Sequence, residues 1–262
     1  MTLLIKSIDD LARQKFDVFV PTMGALHAGH QSLIKLAKEK SDQVLVSIFI
    51  NPLQFENKDD LAKYPQTLDA DLKLAEEAGA TAVFAPTYED IYPGEITKID
   101  AGEIGKLYEG ASRDGHFSGV LTVVKRLFDL TNPKIAIFGE KDFQQLFLIK
   151  QMVKKLNIPL EIVAAPIIRE LDGLAMSSRN VRLDQDGRES ALIISKALKE
   201  NSIADMHKVL AEEPGFTLDY LEIIDEDTFL PANENSKNKR AIIAGWVNGV
   251  RLLDNKRMGA AI

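Results

Sequence analysis

Short apolar runs alternate with longer stretches of helical spacing through the first two-thirds of the chain. The runs at 17–20, 44–50, 82–85, 134–138 and 160–164 are rich in Val, Ile and Phe and lack polar alternation. That is the pattern of strands buried on both faces. Between them, residues 31–40, 60–78, 117–130 and 143–156 repeat their apolar positions at helical spacing. In 143–156, for example, Phe143, Leu146, Ile149, Val153 and Leu156 share one side. Strand–helix alternation of this kind predicts an α/β fold, a parallel sheet with helices on both faces. Ligands of such sheets lie outside the carboxyl ends of the strands, near the switch in strand order. Three polar segments follow predicted strands, at 21–30, 51–55 and 139–145, so one shared site is expected.

Beyond about Pro166 the pattern changes. Residues 169–182 are polar and contain Gly173; helices are predicted over 184–200 and 204–212, and strands over 220–224 and 241–247. The polar stretch 233–239 reads as an exposed turn. A smaller α+β domain is expected here, giving two domains at 1–167 and 168–262.

Composition narrows the function classes. A formal charge of −7 argues against a broad nucleic-acid surface, which needs clustered Lys and Arg. The absence of cysteine excludes disulfides, thiolate metal sites and a cysteine nucleophile, and fits a reducing, cytoplasmic setting. The first ten residues carry too much charge for a signal peptide, and no run approaches the roughly 20 apolar residues of a membrane span.

Candidate chemistry starts at Pro21-Thr22-Met23-Gly24-Ala25-Leu26-His27-Ala28-Gly29-His30. Two histidines at a strand-to-helix turn sit where unpaired backbone N–H groups and the helix dipole attract phosphate. Glycines at 24 and 29 let a bulky ligand approach the backbone. The imidazoles can donate to an α-phosphate and to charge developing during nucleotidyl transfer. The plain alternative is a pair of polar residues capping a turn; a metal site would need a third histidine or a nearby carboxylate, and none is evident.

Gly139-Glu140-Lys141-Asp142 could be only a charged helix start. Functionally, Lys141 offers a point charge to phosphate, and Asp142 can hold a ribose hydroxyl or a hydrated Mg²⁺. Met176-Ser177-Ser178-Arg179 is ordinary solvated loop or a lid that grips a triphosphate. Gln54 either faces water or is the polar fixture of an apolar pocket. His116 reads as an N-terminal helix residue, His207 as exposed, Trp246 as core, and the acidic run 222–227 as a strand end and turn without metal.

Taken together, five blocks in order resemble the pantoate–β-alanine ligase (pantothenate synthetase) family over nearly the whole length. They are Pro21–His27 with Gly29-His30, Phe49–Phe55, Gly115–Val120, Gly139–Asp142 with Gln144-Gln145, and Asp172–Asn180. The departures are Ala28 and Gln31 beside the second histidine and a C-terminal part that looks short. The resemblance implies a Rossmann-like nucleotidyltransferase domain, a small C-terminal lid domain and a homodimer. It implies condensation of pantoate with β-alanine driven by ATP with Mg²⁺, releasing AMP and pyrophosphate through a pantoyl adenylate. By position, Met23, Gly24, Ala25, Leu26, His27, Ala28, Gly29 and His30 would bind ATP. So would Gly139, Glu140, Lys141, Asp142, Met176, Ser177, Ser178 and Arg179, with Ile168 beside the adenine. Gln54 and Gln145 would hold pantoate, and Gln54 would also lie near β-alanine. His30 would be the catalytic histidine, in a proton-donor role, with His27 and Lys141 assisting. The expected partners are these small molecules, without nucleic acid or membrane.

Attack of a carboxylate on an α-phosphorus needs alignment and charge neutralisation more than proton transfer. Electrostatic stabilisation is therefore the larger role expected of His30. Another nucleotidyltransferase of the cytidylyltransferase type, a tRNA synthetase fragment and a nucleotide-binding regulator are the rival readings. The blocks at 51–55 and 139–145 disfavour the first, and the acidic charge disfavours the second. The retained histidines, Lys141 and the Ser-Ser-Arg segment disfavour the third.

Overall fold

A computed structural model describes residues 2–56 and 61–259, which divide into two compact units. One holds the chain up to Glu140 together with Gln145–Pro166; the other holds Lys141–Gln144 and the chain from Ile167.

The first unit is built on six parallel strands: β1 (Leu3–Ile5), β2 (Val18–Thr22), β3 (Val44–Ile48), β4 (Ala82–Phe84), β5 (Ile135–Gly139) and β6 (Glu161–Ala165). Their order is β1-β4-β3-β2-β5-β6. The chain runs from β2 outward through β3 to β4, then crosses back to place β5 on the other side of β2. The switch in order therefore lies between β2 and β5. Val18, Phe19, Val20, Val44, Leu45 and Val46 are fully buried, as strands covered on both faces require.

Register opens the switch point. β2 pairs with β3 from Val18↔Val44 through Thr22↔Ile48, but with β5 only at Val18↔Ile135 and Phe19↔Ala136. Val18 N–H bonds Gln43 O on the β3 side. Strand alternation then turns the nitrogen of Pro21 toward β5, where it has no hydrogen to donate. Pairing stops there, and the carboxyl ends of β2 and β5 are left unzipped from each other.

The helices Ala28–Lys40, Leu68–Ala78, His116–Thr131 and Phe143–Lys155 match the expected ones closely, with one correction. Residues 60–78 are not one helix: the regular helix begins at Leu68, with Thr67 at its N-cap, because Pro65 cannot sit inside a continuous helix. Asp60 lies outside the described residues. Short elements that sequence patterning does not reveal are β1 and the helices Ile8–Ala12, Tyr88–Ile91 and Glu109–Ser112.

The second unit carries an antiparallel sheet of β7 (Thr217–Asp225), β8 (Lys239–Val247) and β9 (Val250–Arg257), in that order. The helices Gln185–Ala197 and Ile203–Leu210 supply Ala191, Ile194, Met206 and Leu210 to a core shared with Ala241, Ile243 and Leu252. β9 is absent from the expected elements. It forms a hairpin with β8 through Asn248 and Gly249, both at positive φ (48° and 73°), between the paired Val247 and Val250. That is the two-residue hairpin turn whose twist matches the strands. Trp246, read as core, is instead 43% exposed on β8. His207 is exposed as expected. The polar segment 169–182 is ordered: Arg169 bridges Ala175 in a small hairpin that turns at Gly173, φ 96°.

Candidate active site

The loop after β2 is held by side chains at nearly every backbone donor. Gly24 N–H bonds Thr22 Oγ1 at 3.2 Å; Ala25 and Leu26 N–H bond the two oxygens of Asp71 at 3.0 and 2.7 Å. Beyond them His27 caps the helix Ala28–Lys40. Its Nδ1 accepts from Gly29 N–H at 3.1 Å, and its own N–H bonds His30 Nδ1 at 3.3 Å. The expectation of unpaired N–H groups awaiting phosphate is thus corrected. The donors of Gly24 through His27 and of Gly29 are satisfied within the protein, since buried backbone donors left unpaired are costly.

What the turn presents instead is imidazole. A ring nitrogen that accepts from an N–H carries no hydrogen, so a neutral His27 and a neutral His30 each keep their proton on Nε2. The rings lie 4.1 Å apart between centroids, tilted by 46°. Both are partly exposed at the positive end of a thirteen-residue helix. Each Nδ1 thus satisfies a backbone donor at the N-terminal end of the helix. A carboxylate does lie beside this turn, Asp71, but both its oxygens are engaged by backbone N–H. No group of three or more potential metal ligands occurs among the described residues.

Gln54 ends the 3-10 turn Pro52–Gln54 after β3 and is 7% exposed. Its orientation follows from Asn51, which is 1% exposed. Leu53 N–H and the Tyr92 hydroxyl donate to Asn51 Oδ1 at 3.3 and 2.9 Å, while Asn51 Nδ2 donates to Gly119 O and to Gln54 Oε1, each at 3.1 Å. Burial pushes the Tyr92 phenol up, so it stays a donor. With Oε1 taken, Gln54 presents its NH₂ group, which meets the weak acceptor Met23 Sδ at 3.0 Å. An oxygen acceptor there would form a stronger bond. His116 is more than a helix-start residue: it is 6% exposed, and its Nδ1 donates to Gln54 O at 2.8 Å. Gly119 lets its helix touch this turn, because a Cβ there would strike the Leu53 carbonyl.

At the end of β5, Gly139 and Glu140 are partly buried, and Gln145 is partly buried one turn into the helix Phe143–Lys155. A Cβ at Gly139 would meet only Leu33 Cδ2, at 3.9 Å. The protein itself therefore does not demand glycine there.

The remaining candidates gather in the second unit. Ile168 O accepts from Met176 N–H at 2.9 Å, so these two pair across the hairpin. Lys141, Ser177 and Arg179 line one cavity with Asn180, Arg251 and Asp254. Lys141 O accepts from Asn255 Nδ2 at 2.9 Å. Ser178 is partly buried beside them, and Asp142 is exposed. Asn180, 8% exposed, ties the loop down by donating to Glu170 Oε1 and Ala175 O. Asp254 is gripped by both Arg169 nitrogens at 2.6 and 3.0 Å. Burial pushes its carboxyl up, and Arg169 opposes that shift. Burial would also raise Glu170 and Asp172, but hydrogen bonds outweigh it and hold both carboxyls below the usual range: those from Arg188 and Asn180 to Glu170, and those from Leu174 N–H and Arg188 to Asp172.

Sequence reasoning does not reach Asp71, Asn51, Tyr92, His116 or Arg169 as site residues. Asp71 lies in an ordinary helical stretch forty-five residues from Leu26, so only folding reveals it. For Asn51 and His116 a signal exists, since both fall in the resembling blocks.

A family model described as pantoate-beta-alanine ligase matches residues 4–257. A pantothenate synthetase of Aquifex aeolicus is 46% identical, covering 97% of this chain and 98% of its own length. Among solved structures, a pantothenate synthetase of Thermus thermophilus has a TM-score of 0.92 at 39% identity, covering 97% of this chain and 99% of its own. A pantoate-beta-alanine ligase of Francisella tularensis, solved with beta-gamma ATP and beta-alanine, has a TM-score of 0.86 at 36% identity, covering 100% and 99%.

Proposed function

The chain is a member of the pantoate-beta-alanine ligase family, and from that premise we infer that it joins pantoate to β-alanine through a pantoyl adenylate, releasing pyrophosphate and then AMP. A pantoate carboxylate oxygen attacks the α-phosphorus of ATP, and the bond from that phosphorus to the pyrophosphate oxygen breaks. The amine of β-alanine then attacks the activated carbonyl; the carbon–oxygen bond to AMP breaks, and the amine loses a proton as the amide forms. Neither step requires a covalent enzyme intermediate, and none of the assigned residues is an activated nucleophile.

The observation that carries this reading is the pair of Nδ1-anchored imidazoles at the open switch point between β2 and β5. His27 and His30 donate through Nε2 to phosphate oxygens as negative charge builds, where fixed donors need no reorganisation. Proton donation is the lesser role for His30. Giving up its Nε2 proton leaves an imidazolate unless Nδ1 is protonated, and Nδ1 is held by His27 N–H. Met23–His30, Gly139–Asp142, Ile168 and Met176–Arg179 are assigned to ATP in this reading, with Lys141 supplying point charge. The NH₂ group of Gln54 and the amide of Gln145 are assigned to pantoate, and Gln54 also to β-alanine.

Mg²⁺ ordinarily keeps several waters and is held by one or two carboxylates plus substrate phosphates. A single exposed carboxylate, Asp142, fits an ion that arrives on the triphosphate. Bound there, the ion would neutralise phosphate charge. Residues 1–167 are assigned to nucleotide and pantoate binding and 168–262 to a lid domain, in a homodimer. A cytoplasmic setting is in keeping with a chain without cysteine. No helix among the described residues is long and apolar enough to cross a membrane.

The test is AMP release from ATP with and without each substrate. The reading requires pantoate for any AMP and β-alanine for multiple turnovers; AMP formed without pantoate, or full activity with CTP, contradicts it.

A further inference from the structure

We propose that Asp71 is the positioning residue of the histidine turn: its carboxylate holds the strained backbone that aims His27 and His30 at the nucleotide. The inference rests on the reading of that turn as the ATP site.

Two successive residues of the turn stand at positive φ, Gly24 at 86° and Ala25 at 51°. For Gly24 this is cheap. For Ala25 it is a strained state that persists only where the surroundings impose it. Consecutive donors in such a turn make an anion-binding concavity. Here that concavity is already filled from inside. Asp71 is 1% exposed and accepts Ala25 N–H on one oxygen and Leu26 N–H on the other, at 3.0 and 2.7 Å. Thr67 Oγ1 donates to the same carboxylate at 3.2 Å. A Cβ at Gly24 would lie 3.0 Å from Asp71 Oδ2, so the carboxylate is fitted against the turn as well as bonded to it.

The consequence reaches the imidazoles through two residues of chain. Leu26, 7% exposed, is seated in the apolar core, and the next residue is the helix cap. With Ala25 and Leu26 fixed, His27 enters the helix in the extended conformation that lets its Nδ1 meet Gly29 N–H. As the carboxylate is placed, each donor has an oxygen of its own. An amide in its place sets an NH₂ against one of them.

The experiment is Asp71→Asn, assayed for ATP and pantoate separately. Expected is a rise in the ATP KM of about tenfold or more, with the pantoate KM within about twofold, since misplacing positioned groups by about 1 Å is that costly. Adding Ala25→Gly should recover about threefold or more of the loss, because glycine holds positive φ without the carboxylate's help. In the unaltered protein, the Ala25 and Leu26 amides should exchange with solvent far more slowly than unbonded loop amides, a measurement that stands even if Asp71→Asn fails to fold. Exchange at unprotected rates, a parallel rise for both substrates, or no recovery with Ala25→Gly would overturn the proposal. His30→Ala separates the two levels. If it leaves turnover intact, the turn is not the ATP site and the proposal falls with that reading. If it costs about 10²-fold while Asp71→Asn leaves the ATP KM unchanged, the positioning role alone fails.

Discussion

Gly119→Ala is a one-methyl change whose effect on both stability and substrate use can be worked from the structure. The added Cβ would lie 2.5 Å from the Leu53 carbonyl carbon and 2.8 Å from Gln54 N, all backbone on the far side. Ordinary contact begins near 3.4 Å and the Leu53 carbonyl oxygen is nearer still than its carbon, so the helix His116–Thr131 and the turn Pro52–Gln54 must part by more than about 1 Å. That separation stretches two buried bonds that cross the same gap, Asn51 Nδ2 to Gly119 O (3.1 Å) and His116 Nδ1 to Gln54 O (2.8 Å). Overpacking costs roughly 1–3 kcal/mol and an orphaned buried acceptor a similar amount, so about 2–4 kcal/mol is expected. In a protein of this size that lowers the thermal midpoint by about 6–12 °C. The same movement displaces Gln54, so the pantoate KM should rise about tenfold or more while the ATP KM changes by less than about twofold. Calorimetry and initial rates with each substrate varied in turn check both halves. A midpoint within about 1 °C of the parent, with an unchanged pantoate KM, would refute the close approach of helix and turn as the reason for glycine here.

Two further outcomes follow from the site. Gln54→Ala should raise the pantoate requirement by about tenfold or more without a matching change for ATP, since a buried amide donor is lost; equal effects on both would contradict its assignment. Arg169→Met should destabilise by about 3–5 kcal/mol near neutral pH, because it strands the buried Asp254 carboxylate. The folded-state pKa of Asp254 is already raised, so the folded protein binds this proton more tightly than the unfolded chain, and protonation favours folding. Without Arg169 to oppose it that shift is larger in the variant, so the deficit should shrink as pH falls from 7 toward the carboxylate range. Thermal midpoints across that range measure it, and a gap that stays constant with pH would contradict the buried-charge origin.

Much of the architecture is legible in the sequence because it rests on burial. Strands such as 44–48 are buried along nearly their whole length, and no solvated element reads that way. β9 escapes for the opposite reason. Arg251, Asp254, Asn255 and Lys256 make it look like loop, yet Asp254 is paired with Arg169, and Asn255 with Arg240 and Lys141 O. The Asn248-Gly249 dipeptide is the available signal for its hairpin. Trp246 misleads because size and aromaticity favour burial on average, whereas strand alternation puts it on the face of β8 opposite Ala241, Ile243 and Val247, which supply the core. In the candidate site, sequence marks residues that could meet ligand, such as His27, His30, Gln54 and Lys141. It does not mark those that orient them. Asp71 and Tyr92 act across forty or more residues of chain, through contacts that exist only once the sheet is assembled. The turn's backbone donors look free in the sequence for the same reason, since their partners come from elsewhere in the fold.

The adenylate is the centre of the proposed chemistry, and isotope exchange between labelled pyrophosphate and ATP tests it most directly. Exchange requires that the first step be reversible and complete before β-alanine is bound. Label should enter ATP when pantoate is present and β-alanine is absent, and should fail to enter when pantoate is withheld. Exchange that appears only on adding β-alanine, or that proceeds without pantoate, would contradict a pantoyl adenylate formed in a separate first step.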